Sequence, residues 1–230
     1  MKEIFKKRDK EGSAIIESIL VFPLLIIMIF LMLQIFLYYY ANNMMNTATN
    51  DAANTVSYQL RGNPALIELF REAESESGVT TISIDDERLG DEFESNVGVT
   101  INERIHQLTD HNAYILFGET EEGEEIPMEP DVDGSGEGRI ALASSEEECD
   151  DFIKSDRARV SCAYLYVDRS DTGNERASSY QIVVRSKAPF RFVGNFFSVL
   201  SGSDGEDDSI FSIYGNSSSP IEMPGRFNYN

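Results

Sequence analysis

From residue 18 to residue 50 the chain carries no charged side chain. Within that run, residues 19–40 form an apolar stretch of 22 positions. At about 1.5 Å of rise per residue, a helix of that length crosses a hydrocarbon core of about 30 Å. Lipid offers no hydrogen bonds to a backbone, so such a stretch is constrained to be helical. A secretory signal core would be shorter, about 7–15 residues, and followed by a small-x-small cleavage site. No such site follows Tyr40, and no cysteine stands near enough for lipid attachment. The stretch therefore predicts one membrane-spanning helix.

Charge gives that helix a direction. Residues 1–12 hold Lys2, Lys6, Lys7, Arg8 and Lys10 against Glu3, Asp9 and Glu11, a net of +2. Positive flanks stay in the cytoplasm, which predicts a cytoplasmic leader and an extracytoplasmic C-terminal part. Tyr38, Tyr39 and Tyr40 close the outer end, where amphipathic rings favour the headgroup layer. Of the chain's 19 basic and 40 acidic residues, 14 and 37 fall after Gly12. An acidic surface of that kind repels nucleic acid, whose binding requires basic side chains to displace counterions. It suits cations, basic partners or simple solubility.

The helix is expected to continue past the membrane. Ala41, Met44, Met45, Ala48, Ala52, Val56 and Leu60 recur at three- or four-residue spacing, one stripe of an amphipathic helix. Gly62 and Pro64 then read as a stop. Residues 13–60 are thus expected as one helix of roughly 70 Å. Pro23 removes one backbone hydrogen bond, which membrane helices tolerate. The stripe packs either on the chain's own head domain or on a partner helix.

Glu17 requires a reason. A carboxylate at a helix centre in lipid costs about 2.5–3.5 kcal/mol on insertion scales, and less near the edge. Gly12 ends the charged leader five residues before it. Cleavage after Gly12 would make Ser13 the N-terminus, and its ammonium would face a carboxylate about one turn along. Pairing the two avoids an isolated charge in an apolar setting. Between neighbouring chains the same pairing would set axial register.

Residues 12–23, GSAIIESILVFP, resemble the N-terminal signature of the TadE-like pseudopilins of tight-adherence (Flp-type) pilus systems. That signature has a cleavage-site glycine, a glutamate five positions into the mature chain and a proline about six residues later. Gly12, Glu17 and Pro23 fall on those positions. The resemblance implies cleavage between Gly12 and Ser13 by a prepilin peptidase, a membrane aspartyl enzyme, with Glu17 and Pro23 serving processing or assembly. It implies further partners in other pilins or pseudopilins, in the pilus assembly platform and in membrane lipid. Type IV pilins share the glycine and glutamate but usually place Phe or Met first in the mature chain; Ser13 and Pro23 favour the tight-adherence branch.

The expected organisation is a leader over 1–12, a transmembrane and stalk helix over 13–60, and an acidic head over 61–230. The fold class is α+β, one long helix followed by a small, mainly antiparallel sheet. Residues 64–73 read as a short helix capped by Asn63. Strands are expected at 80–84, 97–101, 113–117, 160–167 and 180–185 from period-two alternation and Val, Ile and Tyr content. Residues 119–151 hold 14 acidic side chains and read as a flexible loop. Residues 201–209 share that character, and 216–230 read as a loosely ordered tail.

Chemistry-bearing motifs are sparse. Cys149 and Cys162 are a candidate disulfide, a pairing that geometry decides. Asp131, Asp133, Ser135 and Glu137 resemble the start of a calcium loop, but Gly138 and Leu142 occupy its later ligand region, so a flexible acidic loop is the default. His106 and His111 have the wrong spacing for a metal pair. No nucleotide-binding or nucleophile-elbow motif is present. The chain is therefore read as a non-enzyme without cofactor: a processed minor pilin or pseudopilin acting in pilus assembly and surface adhesion. The alternative is an unprocessed, signal-anchored surface domain that binds cations or a basic ligand through its acidic loop.

Overall fold

A computed structural model describes residues 2–73, 79–82, 84, 88–89, 91–110, 112, 115, 140–155, 159–172, 175–190 and 211–222, with side chains of the first helix from Val21 onward. The chain divides into two compact units, Met1–Tyr40 and Ala41–Asn230. The first unit is helical from Lys2 on, the beginning of α1 (Lys2–Leu60). Its helix is apolar on every side over residues 21–40, and large side chains such as Phe22, Ile29, Met32 and Phe36 are exposed. Gln34, a polar residue inside that run, is buried.

The second unit starts with the rest of α1. Gly62, at φ 85°, follows its last turn in the left-handed conformation that suits glycine. Helix α2 (Pro64–Ala73) begins at once, and Asn63 Oδ1 accepts from the N–H groups of Ala65 and Leu66 at 3.0 and 3.3 Å. Then come β1 (Val79–Ile82), α3 (Asp91–Thr109), β2 (Ile140–Leu142), α4 (Glu146–Ser155), β3 (Val160–Thr172), β4 (Glu175–Phe190) and β5 (Phe211–Pro220). The sheet order is β1-β3-β4-β5, with β2 also on β3. All pairings are antiparallel except the short parallel β2–β3. The long helix followed by a small antiparallel sheet is the expected α+β class.

Several local expectations are corrected. Residues 97–101, read as a strand from the alternation of VGVTI, lie inside α3. Val97, Ile101, Ile105 and Thr109 are all buried at a four-residue spacing, so a helical stripe in a nineteen-residue helix overrides a five-residue alternation. The acidic run does not stay a loop to its end. Residues 140–142 form β2, and the acids at 146–151 lie in α4, where Glu146, Glu147 and Glu148 fill a first turn that favours negative charge. Residues 211–220, partly assigned to a loose tail, form β5 in register with β4. Of 113–117, only Ile115 is described, bridged to Phe190. Residues 201–209 lie outside the described residues.

The sheet is covered on both faces. Ala163, Leu165, Ile182, Val184, Ala188 and Ile213 supply one buried face. On the other, α4 lies over β3 through a cluster of Ala143, Cys149, Ile153, Val160, Cys162, Tyr164 and Val183.

Candidate assembly site on the first helix

Gly12, Ser13, Glu17 and Pro23 all fall within α1. Positions 13 and 17 are one turn apart on the same helical face, at about 5.4 Å of pitch. The side chains of residues before Val21 lie outside the described ones. Pro23 is exposed and sits in the helix interior, where the missing N–H leaves the Ile19 carbonyl without its usual donor. Within residues 21–60, α1 is long and apolar enough to cross a membrane.

The later part of α1 is built differently. Ala41, Met45, Ala48, Ala52, Ala53 and Val56 are fully buried. The small side chains of the four alanines let the sheet come close. A Cβ built on Gly215 of β5 would stand 2.5 Å from Ser186 Oγ and 3.0 Å from the Met45 carbonyl oxygen. Thr49 donates to the Met45 carbonyl at 2.8 Å and also meets the Ser186 hydroxyl. Ser217 and Ser219 donate to Asn50 and Asn54, both at 2.9 Å. The stripe read in the sequence thus packs on the chain's own sheet.

The family model of the TadE-like proteins matches residues 12–54. The N-terminal segment is TadE-like. It covers the apolar helix and the first turns packed in the head. The resemblance read from Gly12, Glu17 and Pro23 holds at the family level. A TadE-like segment with a single apolar N-terminal helix fits a single-pass membrane anchor. No curated protein and no solved structure matches the chain.

Outside the TadE-like segment, the head places the other sequence candidates as follows. Cys149 of α4 and Cys162 of β3 form a disulfide with Cα atoms 5.6 Å apart, wholly buried. The calcium-loop candidates Asp131, Asp133, Ser135 and Glu137, and His111, lie outside the described residues. His106 is buried. Its Nδ1 lies 3.2 Å from Asp110, and its ring meets the buried Arg159, which also bonds Asp110 at 3.0 Å and Thr109 at 2.8 Å. This group joins the end of α3 to the start of β3.

Sequence reading missed two further arrangements. Arg185 of β4 bonds Glu146 at 2.5 Å and Asp150 from beneath α4, and lies over the Tyr164 ring. Burial, and then the Glu146 carboxylate, push the Tyr164 hydroxyl up to about 12. At the start of α4, Ser145 Oγ accepts from Glu148 N–H at 3.2 Å, an N-cap. Glu148 accepts from the Ser144 hydroxyl and N–H at 2.6 and 2.9 Å, and these bonds hold its pKa below the ordinary carboxylate value. The serine pair followed by glutamate at position 148 was the available signal, a shifted capping box.

Proposed function

We propose that this chain is a minor pilin or pseudopilin of a tight-adherence pilus, cleaved by a prepilin peptidase between Gly12 and Ser13. The observation that carries the reading is a TadE-like match that begins at Gly12 itself. Loss of residues 1–12 removes a leader of net charge +2 and creates an ammonium on Ser13. Glu17, one turn away, neutralises that ammonium within one chain or in the chain below it in a fibre. Gly12 helps the peptidase, because glycine lowers helix stability by about 1 kcal/mol relative to alanine and lets the scissile turn open. The basic leader orients the anchor with its N-terminus in the cytoplasm and the head outside. Assembly with other pilins and the platform, and through the pilus surface adhesion, complete the role.

The test is the mass of the native protein from its own membrane. The expected mature chain starts at Ser13, and Gly12→Val blocks the cut. A chain that keeps Met1 in cells holding the peptidase overturns processing. Glu17→Ala should insert into the membrane normally and fail to assemble, with Glu17→Asp retaining part of the function. Normal pili from Glu17→Ala would remove the carboxylate from the mechanism.

A further inference from the structure

Strand β5 runs in the same direction as the part of α1 it packs on. Gly215 lies at Met45 and Thr49, Ser217 is bonded to Asn50, and Ser219 is bonded to Asn54 and Ser57. Phe211 precedes Gly215 by four residues, about 13 Å of strand, and Ala41 precedes Thr49 by eight, about 12 Å of helix. Phe211 therefore stands level with Ala41, where the head begins. Alternation along the strand puts it on the same face as Gly215, the face beside α1. Helix α3 runs the opposite way, with Thr100 bonded to Gln59 and Asn112 donating to Met44. Its exposed Leu108 thus comes down toward the Ala41 end as well.

The two ends of the head differ in charge. Helix α1 carries none from Ala41 to Asn50 and β5 carries none at all, in a chain whose net charge is −21. Lys187 and Asp110 lie toward the Ala41 end but are engaged within the head. Lys187 donates to the Ile153 carbonyl at 2.9 Å, and Asp110 bonds Arg159 at 3.0 Å. At the opposite end Arg61 pairs with Glu222, and both are exposed. What the Ala41 end exposes instead is apolar: Phe211 at 43%, Tyr214 at 52%, and Leu108.

We propose that the Ala41 end of the head rests on the lipid surface, with Phe211 inserted in the headgroup layer and Tyr214 at the outer margin of that layer. Tyr40 and Ala41 are consecutive, so the head begins where the apolar run ends. The headgroup layer adds about 5–8 Å on each side of a hydrocarbon core of about 30 Å. A ring level with Ala41 falls inside it, and a ring about 10 Å further along β5 falls at its edge. Aromatic rings favour this layer. A carboxylate pressed against it would lose hydration, and the uncharged surfaces of α1 and β5 avoid that cost. Contact at Phe211, to one side of α1, holds the head at a set tilt to the membrane. This seat presupposes that α1 crosses the membrane, as proposed above. It holds on either side of the membrane, and with or without the leader.

The chain has no tryptophan, so a single introduced indole reports alone. Full-length protein carrying Phe211→Trp, Tyr214→Trp, Leu108→Trp, Tyr58→Trp or Phe36→Trp is reconstituted into phosphatidylcholine vesicles with and without brominated acyl chains, and quenching of emission is read. Phe36 lies in the apolar run and reports the anchor. Tyr58, exposed and about 26 Å along α1 from Ala41, reports the far end of the head. Phe36→Trp should be quenched most, Phe211→Trp by about two-fold, Tyr214→Trp and Leu108→Trp less, and Tyr58→Trp not at all. Leu108→Trp, on a different element, keeps the test decisive if a larger ring at 211 lowers the head's melting temperature. Quenching at Phe36→Trp with none at 211, 214 and 108 overturns the seat and leaves the anchor standing. No quenching at Phe36→Trp overturns the anchor reading and the seat with it. A blue-shifted Phe211→Trp emission without quenching puts protein rather than lipid against residue 211 and overturns the proposal too.

Discussion

Met32 and Met45 lie on the same helix, thirteen residues apart, yet one is 67% exposed and the other fully buried. Around Met32, large apolar side chains such as Ile29, Leu33, Ile35 and Phe36 are exposed, with the buried Gln34 among them. Around Met45 the apolar residues keep to one stripe, and Asn43, Asn46 and Thr47 are exposed. Uniform greasiness suits a medium that surrounds the helix, whether lipid or neighbouring anchors. A stripe of alanines suits one specific surface that must come close. The family match spans both stretches, ending at residue 54 inside the packed part. The TadE-like segment therefore combines a lipid-ready rod with the helix on which the head is built.

The sharpest way to break this contrast is to truncate both methionines. Met45→Ala should cost the head about 2–5 kcal/mol, the range for emptying a packed site. Met32→Ala should leave head unfolding unchanged. Denaturant unfolding of the detergent-solubilised full chain, followed by far-ultraviolet circular dichroism, reads both. Equal effects would mean that the two stretches are not energetically distinct.

The disulfide separates stability within the head from stability supplied by α1. Cys149 and Cys162 are thirteen residues apart, and closing a loop of about fifteen residues restricts the unfolded chain by about 3 kcal/mol. The double Cys→Ser variant should lose stability of that order while the anchor still inserts. Melting curves with and without reductant check it, because the double variant should no longer respond to reductant.

Gly215 tests the close approach itself. A methyl there would meet two hydroxyls and the Met45 carbonyl at or below 3.0 Å. Gly215→Ala should destabilise the head by about 1–3 kcal/mol, the usual penalty for overpacking. Gly98 is the control, since a methyl there meets only the Ile140 side chain at 3.6 Å, ordinary contact. If both substitutions cost the same, the tight fit between α1 and β5 is not what fixes glycine at 215.

How far the sequence revealed these regions depended on how each one is stabilised. The anchor was legible because a charge-free run longer than a bilayer admits few alternatives. The stripe from Ala41 to Leu60 was legible from its spacing, but not its partner, since serines and a glycine on β5 give no hydrophobic signal. Strand β5 is held by backbone register to β4 and by hydroxyl-to-amide bonds with Asn50 and Asn54, and neither leaves a compositional trace. Helix α4 was hidden because its acids, which in isolation suggest a solvated loop, are arranged around Arg185 and a serine cap. Residues 97–101 misled because a period-two pattern was short and the period-four pattern that wins extends beyond it. The candidate assembly positions Gly12, Glu17 and Pro23 were read from their spacing along the chain alone.

The smallest expected effect concerns the cap of α4, far from the contrast along α1, and it sharpens that contrast by showing what a purely local contact is worth. Glu148 is held ionised by Ser144, so its folded pKa lies below the unfolded value. A carboxylate shifted that way contributes stability that is present above the ordinary carboxylate range and is lost as pH falls through the lowered folded pKa. Glu148→Gln should therefore be slightly less stable than the parent at pH 7, by under about 1 kcal/mol because the group is exposed to solvent. The gap should close once the pH is below the parent's folded pKa, where the parent carboxyl is neutral too. Melting temperatures of both proteins at pH 7 and at pH 2–3 measure it. A gap that persists unchanged in acid would assign the effect to helix propensity or packing rather than to the charged cap.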